Sequence, residues 1–145
     1  MRFGTAAIAL LAAALAAAGT ALPAAAKEGA RATITSRVPV HAAAGSSFTL
    51  RWIVTVPGGS GRRQPFVADG MFVRLIGAPG VRPRMVFAHG DHGRYRALVR
   101  VPRGGLRGVE LGLRGWATDA RGTRPSDGLF PITNDPFRTR DSPSR

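Results

Sequence analysis

The chain is 145 residues long and contains no cysteine, and its 21 lysine and arginine residues against 8 acidic residues give a formal net charge of +13 at pH 7. This length predicts one compact domain with a modest hydrophobic core. The lack of cysteine excludes a disulfide scaffold, a thiolate metal site, a cysteine nucleophile and a lipoprotein anchor.

Residues 1–26 have the pattern of a secretory signal peptide. Arg2 supplies a positive charge, residues 6–18 form an almost unbroken apolar run, and three alanines that end at Ala26 provide the small residues of a cleavage site. The alternative is a retained membrane anchor, because the stretch 5–22 is borderline in length for spanning a bilayer. Since that stretch is mostly alanine and ends in small residues, we expect cleavage after Ala26.

Cleavage at this point predicts an exported protein, periplasmic or extracellular. No later segment of the sequence has an apolar run that approaches spanning length. The mature chain is therefore expected to have no transmembrane segment.

Three segments alternate apolar and polar residues, which is the pattern of a half-buried β-strand. They are residues 47–56, 94–101 and 109–116. Weaker candidates for strands are residues 32–40, 71–76, 84–88 and 129–132. Glycine and proline separate these segments, and the connections are too short for helical crossovers, so the strands are predicted to pair antiparallel.

About seven short strands at this spacing predict an all-β fold, a single immunoglobulin-like antiparallel β-sandwich. The domain is expected to cover residues 27–132. Residues 133–145 are expected to form a flexible C-terminal tail, because they combine charges and prolines without periodicity. Trp52 is expected to be buried between the two sheets. The rest of the core is expected to come from the valine and leucine rows and from Phe48, Phe72 and Tyr95.

Four short motifs follow one another along the chain. A glycine and an aromatic strand at residues 45–56 precede Phe-Val-Arg-Leu at 72–75, Gly-x-Tyr-x-Ala-x-Val at 93–99 and Pro-x-Gly-Gly at 102–105. In this order, over roughly residues 31–132, the chain resembles the exported domains of the YtkA/FixH-like family. The resemblance implies an extracytoplasmic, non-enzymatic domain of a family in which some members are membrane-anchored and some are linked to copper or to cytochrome oxidase biogenesis. This chain departs from those members in its predicted cleavable signal.

The sequence lacks the residue patterns of common catalytic sites. Its acidic residues are scattered singly, and Asp119, Asp127 and Asp135 lie within two residues of glycine, arginine or proline in turn-like contexts. No serine lies in a Gly-x-Ser-x-Gly elbow, and no glycine-rich segment continues into the Gly-Lys-Ser/Thr of a phosphate loop. We therefore expect a protein that is not an enzyme.

Arginine dominates the charge, because Lys27 is the only lysine. One explanation is an anionic partner, either an acidic protein or another anionic component of the cell envelope. The other is a solvated outer face, which the even spread of arginines and their alternation with core residues favour. On the strand at 94–101, Arg94, Arg96 and Arg100 are predicted to form one stripe. Nucleic acid is not expected as a partner, since the protein is exported and no aromatic platform for stacking bases is present.

Two of the three histidines, His89 and His92, lie close together in a glycine-rich segment that predicts a hairpin-like turn. Imidazoles on such a turn, with the thioether of Met85 nearby, suit copper better than a hard cation. Zinc usually requires a third or fourth protein ligand, and only Asp91 is close by in sequence. The alternative is that aspartate and histidine serve here as ordinary turn residues.

These observations predict an exported, non-catalytic binding or accessory domain of the cell envelope, without a required cofactor. The alternative function is that of a periplasmic copper-handling protein whose metal site consists of His89, His92 and Met85.

Overall fold

The computed structural model describes residues 29–119 and 122–138. These residues form nine β-strands joined by turns and loops. In chain order the strands are β1 Arg31–Ile34, β2 Ser47–Pro57, β3 Arg63–Pro65, β4 Val67–Ile76, β5 Arg84–Phe87, β6 His89–Asp91, β7 Arg94–Arg100, β8 Gly108–Asp119 and β9 Gly122–Leu129. Within the described part of the chain, no helix is long and apolar enough to cross a membrane.

The strands form two antiparallel sheets that pack face to face. Sheet A has the order β1-β2-β7-β6, with β3 paired to the far end of β2, and sheet B has the order β5-β4-β8-β9. These are the orders of the ABED and C′CFG sheets of immunoglobulin-like domains. The predicted all-β sandwich is therefore confirmed, with nine strands in the described residues where about seven were expected.

Alternation along the strands determines which side chains form the core. In β2, Leu50 and Trp52 are buried while Arg51 between them is exposed, and Trp52 is only 1% exposed, as predicted. The ring of Trp52 lies 6.2 Å from that of Tyr95 in β7, measured between ring centroids. The largest fully buried side chains come from both sheets: Trp52, Leu50, Met71, Leu111, Leu113, Val54 and Val73.

Tyr95 connects the two sheets through its hydroxyl group. Although it belongs to β7 of sheet A, its hydroxyl donates to the carbonyl oxygen of Phe66 at 2.9 Å. The hydroxyl oxygen of Tyr95 also accepts a hydrogen bond from the backbone N–H of Ala68 in β4 at 3.1 Å. A buried hydroxyl requires such partners. These bonds therefore fix the start of β4 against the middle of sheet A.

Phe72 is buried on the outer face of sheet B, and not in the core between the sheets where it is predicted. Its neighbours Met71 and Val73 point into the core, so alternation directs Phe72 to the other side. There its ring covers Gly112, where any Cβ atom would collide with it. The guanidinium of Arg74 lies 5.7 Å from the ring centroid and pairs with Glu110 at 2.7 Å.

The ordered domain extends beyond the predicted boundary at residue 132. The side chain of Asn134 accepts a hydrogen bond from the N–H of Ile34 at 2.9 Å and donates one to its carbonyl at 2.7 Å. Thr133 bonds to Thr33 at 2.8 Å. The first residues of the predicted tail therefore pair with β1. The predicted signal peptide, with its cleavage site at Ala26, lies outside the described residues, as do residues 139–145.

Candidate functional site

The predicted hairpin turn lies between β6 and β7. Asp91 and Arg94 pair across it, which leaves His92 and Gly93 as a two-residue turn. Their φ angles are +44° and +77°, the signs that a type I′ turn requires. Nδ1 of His92 lies 3.2 Å from a carboxylate oxygen of Asp91, and both side chains are more than four-fifths exposed. The contact between His92 and Asp91 is therefore exposed to solvent.

The three predicted metal ligands do not come together. Met85 belongs to β5 of sheet B, where it lies opposite Arg74. His89 belongs to β6 of sheet A, where it lies opposite Arg96. His92 occupies the turn beyond β6. The structure thus brings the two histidines onto one short hairpin and leaves the thioether on the other sheet.

Positive charge surrounds the histidine that the hairpin presents. His89 lies directly across from Arg96, which in turn lies across from Arg51 of β2. Such neighbours repel a metal cation. Among the described residues, no three histidine, aspartate or glutamate side chains lie close enough together to hold a metal ion.

The exposed face of sheet A carries the predicted arginine stripe. Arg94, Arg96 and Arg100 are all exposed, whereas the residues between them, apart from Leu98, are buried. Arg51 and Arg96 stand opposite each other on neighbouring strands, an arrangement that is destabilising for like charges. A shallow hollow of about 350 Å³ lies here, with Asp91 as its one acidic lining residue.

A larger groove of about 740 Å³ opens along one side of the sandwich, between β7 of sheet A and β5 of sheet B. We call it the arginine groove. It is lined by Gly45, Ser47, Leu75, Val81, Arg82, Arg84, Met85, Val86, Leu98, Val99, Arg100, Val101, Pro102 and Arg103. Four of these residues are arginines and none is acidic. The groove is therefore strongly electropositive.

Apolar side chains line the arginine groove between its arginines. Met85 and Val86 of β5 are partly buried, and Val99 and Val101 on the opposite wall are buried in the core. Leu98, by contrast, is 69% exposed at the edge of the groove. The site combines a partly apolar surface with a rim of cations.

One of the four arginines is fixed by the fold. Nε of Arg100 donates to the carbonyl oxygen of Gly45 at 2.8 Å. This bond holds the guanidinium beside the loop that precedes β2. Arg82, Arg84 and Arg103 are exposed and make no side-chain hydrogen bond or ion pair with another described residue. Their charge is available to a partner.

No protein-family model matches the chain, and comparisons with curated proteins and with solved structures found no match either. The YtkA/FixH-like resemblance therefore stays a prediction.

Sequence reasoning identified the arginine stripe but missed the arginine groove. The groove joins four parts of the chain, residues 45–47, Leu75, residues 81–86 and residues 98–103, that are separated in sequence. The only local signal was the pair of arginines that flank Pro83. That pair becomes significant only after the sandwich places it opposite the end of β7.

Proposed function

We propose that this protein is an exported, non-catalytic binding module that takes an anionic component of the cell envelope in the arginine groove. The observation that carries the proposal is the grouping of Arg82, Arg84, Arg100 and Arg103 around one concave surface whose described lining residues include no carboxylate. Arginines that only solvate an outer face would be expected on convex surfaces and interspersed with acids.

The chemistry of the groove favours recognition over catalysis. A guanidinium group stays protonated at physiological pH, so it acts as a hydrogen-bond donor and a charge but not as a general base. It also matches the geometry of carboxylates and phosphates with two parallel bonds. An excess of one sign of charge in a cleft further raises the rate at which an oppositely charged partner arrives.

Binding of poly-glutamate to the purified protein tests the proposal. The variant Arg82→Gln/Arg84→Gln/Arg103→Gln removes three cations of the arginine groove and spares Arg100, which has a structural bond. An exposed ion pair contributes about 0.5 kcal/mol to binding, so the triple variant should bind poly-glutamate about tenfold more weakly than the wild type does. Binding should also weaken as salt is added.

A matched control separates a site from a general effect of net charge. The variant Arg37→Gln/Arg62→Gln/Arg107→Gln removes the same number of exposed arginines from loops outside the groove. It should bind poly-glutamate nearly as tightly as the wild type does. Equal losses in the two triple variants would mean that net charge alone attracts anions, and the proposed site would be wrong.

The copper-handling alternative has less support, because Met85 lies on the other sheet from the two histidines and Arg96 faces His89. It still makes a distinct prediction. A copper site on the hairpin requires the wild type to bind copper more tightly than His89→Ala/His92→Ala, and to lose copper as acid protonates the imidazoles. We expect the two titration curves to coincide.

A further inference from the structure

The second half of β7 has a bare edge. Along its whole length β7 pairs with β2 on one side. On the other side β6 pairs only with residues 94–96 of β7. From Leu98 to Arg100, no strand of the described residues pairs with that side.

The hydrogen-bonding pattern determines which backbone groups face this edge. The carbonyl of Gly93 accepts from Val54, and the N–H of Val101 donates to Ser46, both at 2.8 Å and both toward β2. Bonding direction alternates along a strand, so odd-numbered residues of β7 bond to β2 and even-numbered ones point away. The N–H and C=O groups of Leu98 and Arg100 therefore face the bare edge.

The bare edge arises where the chain changes sheets. β6 and β5 are parts of one run that Ala88 interrupts, and the N–H of Ala88 donates to the carbonyl of Met71 in sheet B at 2.8 Å. From this point toward β5 the chain pairs with β4. This run therefore pairs with β7 only through β6, next to the hairpin turn. The arginine groove opens between β7 and β5.

An exposed strand edge binds extended peptides, because its unpaired N–H groups donate to the peptide backbone and its unpaired C=O groups accept from it. A strand added to β7 would turn alternate side chains toward Val86, which packs against the core, and the others outward beside Arg100. The groove thus fits a segment in which apolar residues alternate with acidic ones. Arginines around the groove supply charge complementarity to the acids.

A second copy of this chain is a poor occupant of the same edge. Two copies that paired through β7 would bring their Arg96 and Arg100 side chains together, and each chain has a formal net charge of +13. Like charges on an edge strand are a known safeguard against such pairing.

We infer, as a refinement that rests on the proposed function, that the partner is an acidic protein whose extended segment adds to β7 as an antiparallel strand in the arginine groove. The segment forms main-chain hydrogen bonds with Leu98 and Arg100. It places apolar side chains in the groove and acidic side chains beside the arginines.

Methylated peptides test strand addition on the wild-type protein. The probe is a capped peptide of alternating glutamate and valine, about eight residues long, with two derivatives N-methylated on either the glutamate or the valine amides. In an antiparallel pair, the peptide residues that bond to Leu98 and Arg100 lie directly opposite them, and their side chains point to the same outer face. These outward-pointing peptide residues are the glutamates. Methylation of the glutamate amides should weaken binding at least about tenfold, and methylation of the valine amides should have little effect. Equal affinity of the two methylated peptides overturns the inference.

A pair of protein variants gives the complementary test. Leu98→Pro removes the N–H group that faces the bare edge, a position at which proline is tolerated in an edge strand. Leu98→Ala keeps the N–H and controls for the lost side chain. Leu98→Pro should bind the unmethylated peptide about tenfold more weakly than Leu98→Ala. Equal binding by two variants of equal melting temperature overturns strand addition.

The outcomes separate this inference from the proposed function. If poly-glutamate binding depends on the groove arginines while the two methylated peptides bind equally, the anion site stands and strand addition is wrong. If only vesicles rich in phosphatidylglycerol bind in a groove-dependent way, the protein partner is wrong. If no anion depends on the groove arginines, the proposed function itself is wrong.

Discussion

Tyr95 is a titratable group that is buried in the core, and burial raises its pKa above the ordinary value of 10.0. The negative charges of Asp69 and Asp91 act in the same direction, while the hydrogen bond from Ala68 opposes them. Since the folded state holds the phenolic proton more tightly than the unfolded state, the stabilisation is complete below about pH 10 and is lost as pH rises through the folded pKa.

We therefore expect the tyrosinate absorbance of the folded protein to appear only above pH 10, together with a fall in stability. Tyr95 is the only tyrosine of the chain, so the signal has one source. Tyr95→Phe should be less stable at neutral pH by about 1–3 kcal/mol, because it leaves backbone groups of Phe66 and Ala68 without their partner. The stability of Tyr95→Phe should not show the fall above pH 10 that ionisation of Tyr95 causes in the wild type. Ionisation of the wild type at pH 10 without loss of stability would contradict this account.

The two tryptophans provide a second test at the scale of single residues. Trp52 is 1% exposed and lies between the sheets, whereas Trp116 is 53% exposed on sheet B. Trp52→Ala should destabilise the fold by about 3–5 kcal/mol, the cost of a large core truncation. Trp116→Ala should change the free energy of unfolding by no more than about 0.5 kcal/mol. Urea unfolding of the two variants checks both values. Similar losses of stability in the two variants would mean that Trp52 is not buried between the sheets.

At the scale of elements, sheet B depends on the β-bulge between β4 and β8, where Arg114 and Gly115 of β8 lie opposite Gly70 alone. The register between β4 and β8 shifts between Asp69 and Met71, and Gly70 between them has a φ of +87°. A side chain on Gly70 would be strained and would also collide with the backbone of Arg114 and Gly115. Without this shift, alternation along β4 would place Ala68 on the outer face of sheet B, the face that carries Phe72.

Gly70→Ala is accordingly expected to destabilise the protein by about 2–5 kcal/mol, the sum of left-handed strain and overpacking. Gly80→Ala is the matched control, because Gly80 also has a positive φ, +83°, but has open space around it. The control should lose only about 1–2 kcal/mol. Denaturant unfolding measures both, and equal losses would contradict the close approach of β4 and β8.

The three strands with clear alternation were predictable, because one of their faces is buried and the other exposed. The predicted strand at 47–56 is β2, that at 94–101 is β7, and that at 109–116 is the middle of β8. Sequence reasoning missed β9, since Gly122–Leu129 contains glycine and proline and has no apolar row. It pairs through its backbone with β8, and backbone pairing leaves no periodicity to detect.

Short strands were missed for a related reason. β3 and β6 contain three residues each, which is too few to show a period. Arg63 belongs to β3, and its guanidinium donates to Thr55 at 2.8 Å and to the carbonyl of Gly29 at 2.7 Å. This arginine is a structural residue, which its sequence context did not indicate.

At the scale of the whole molecule, the arginine stripe was predictable and the arginine groove was not. The stripe follows from alternation within one strand. The groove depends on the change of sheet at Ala88, which is a property of the packed sandwich. Likewise, the separation of Met85 from His89 arises from that change of sheet, although the two residues are close in sequence.

An amide-resolved NMR titration with the alternating glutamate–valine peptide shows whether an anionic partner binds in the arginine groove. Chemical shift changes are expected to concentrate at residues 81–86 and 98–103, and the amides of Leu98 and Arg100 are expected to become protected from hydrogen exchange. Shifts centred instead on the exposed Trp116 and Leu129 of sheet B, with the amides of Leu98 and Arg100 still unprotected, would contradict binding in the groove.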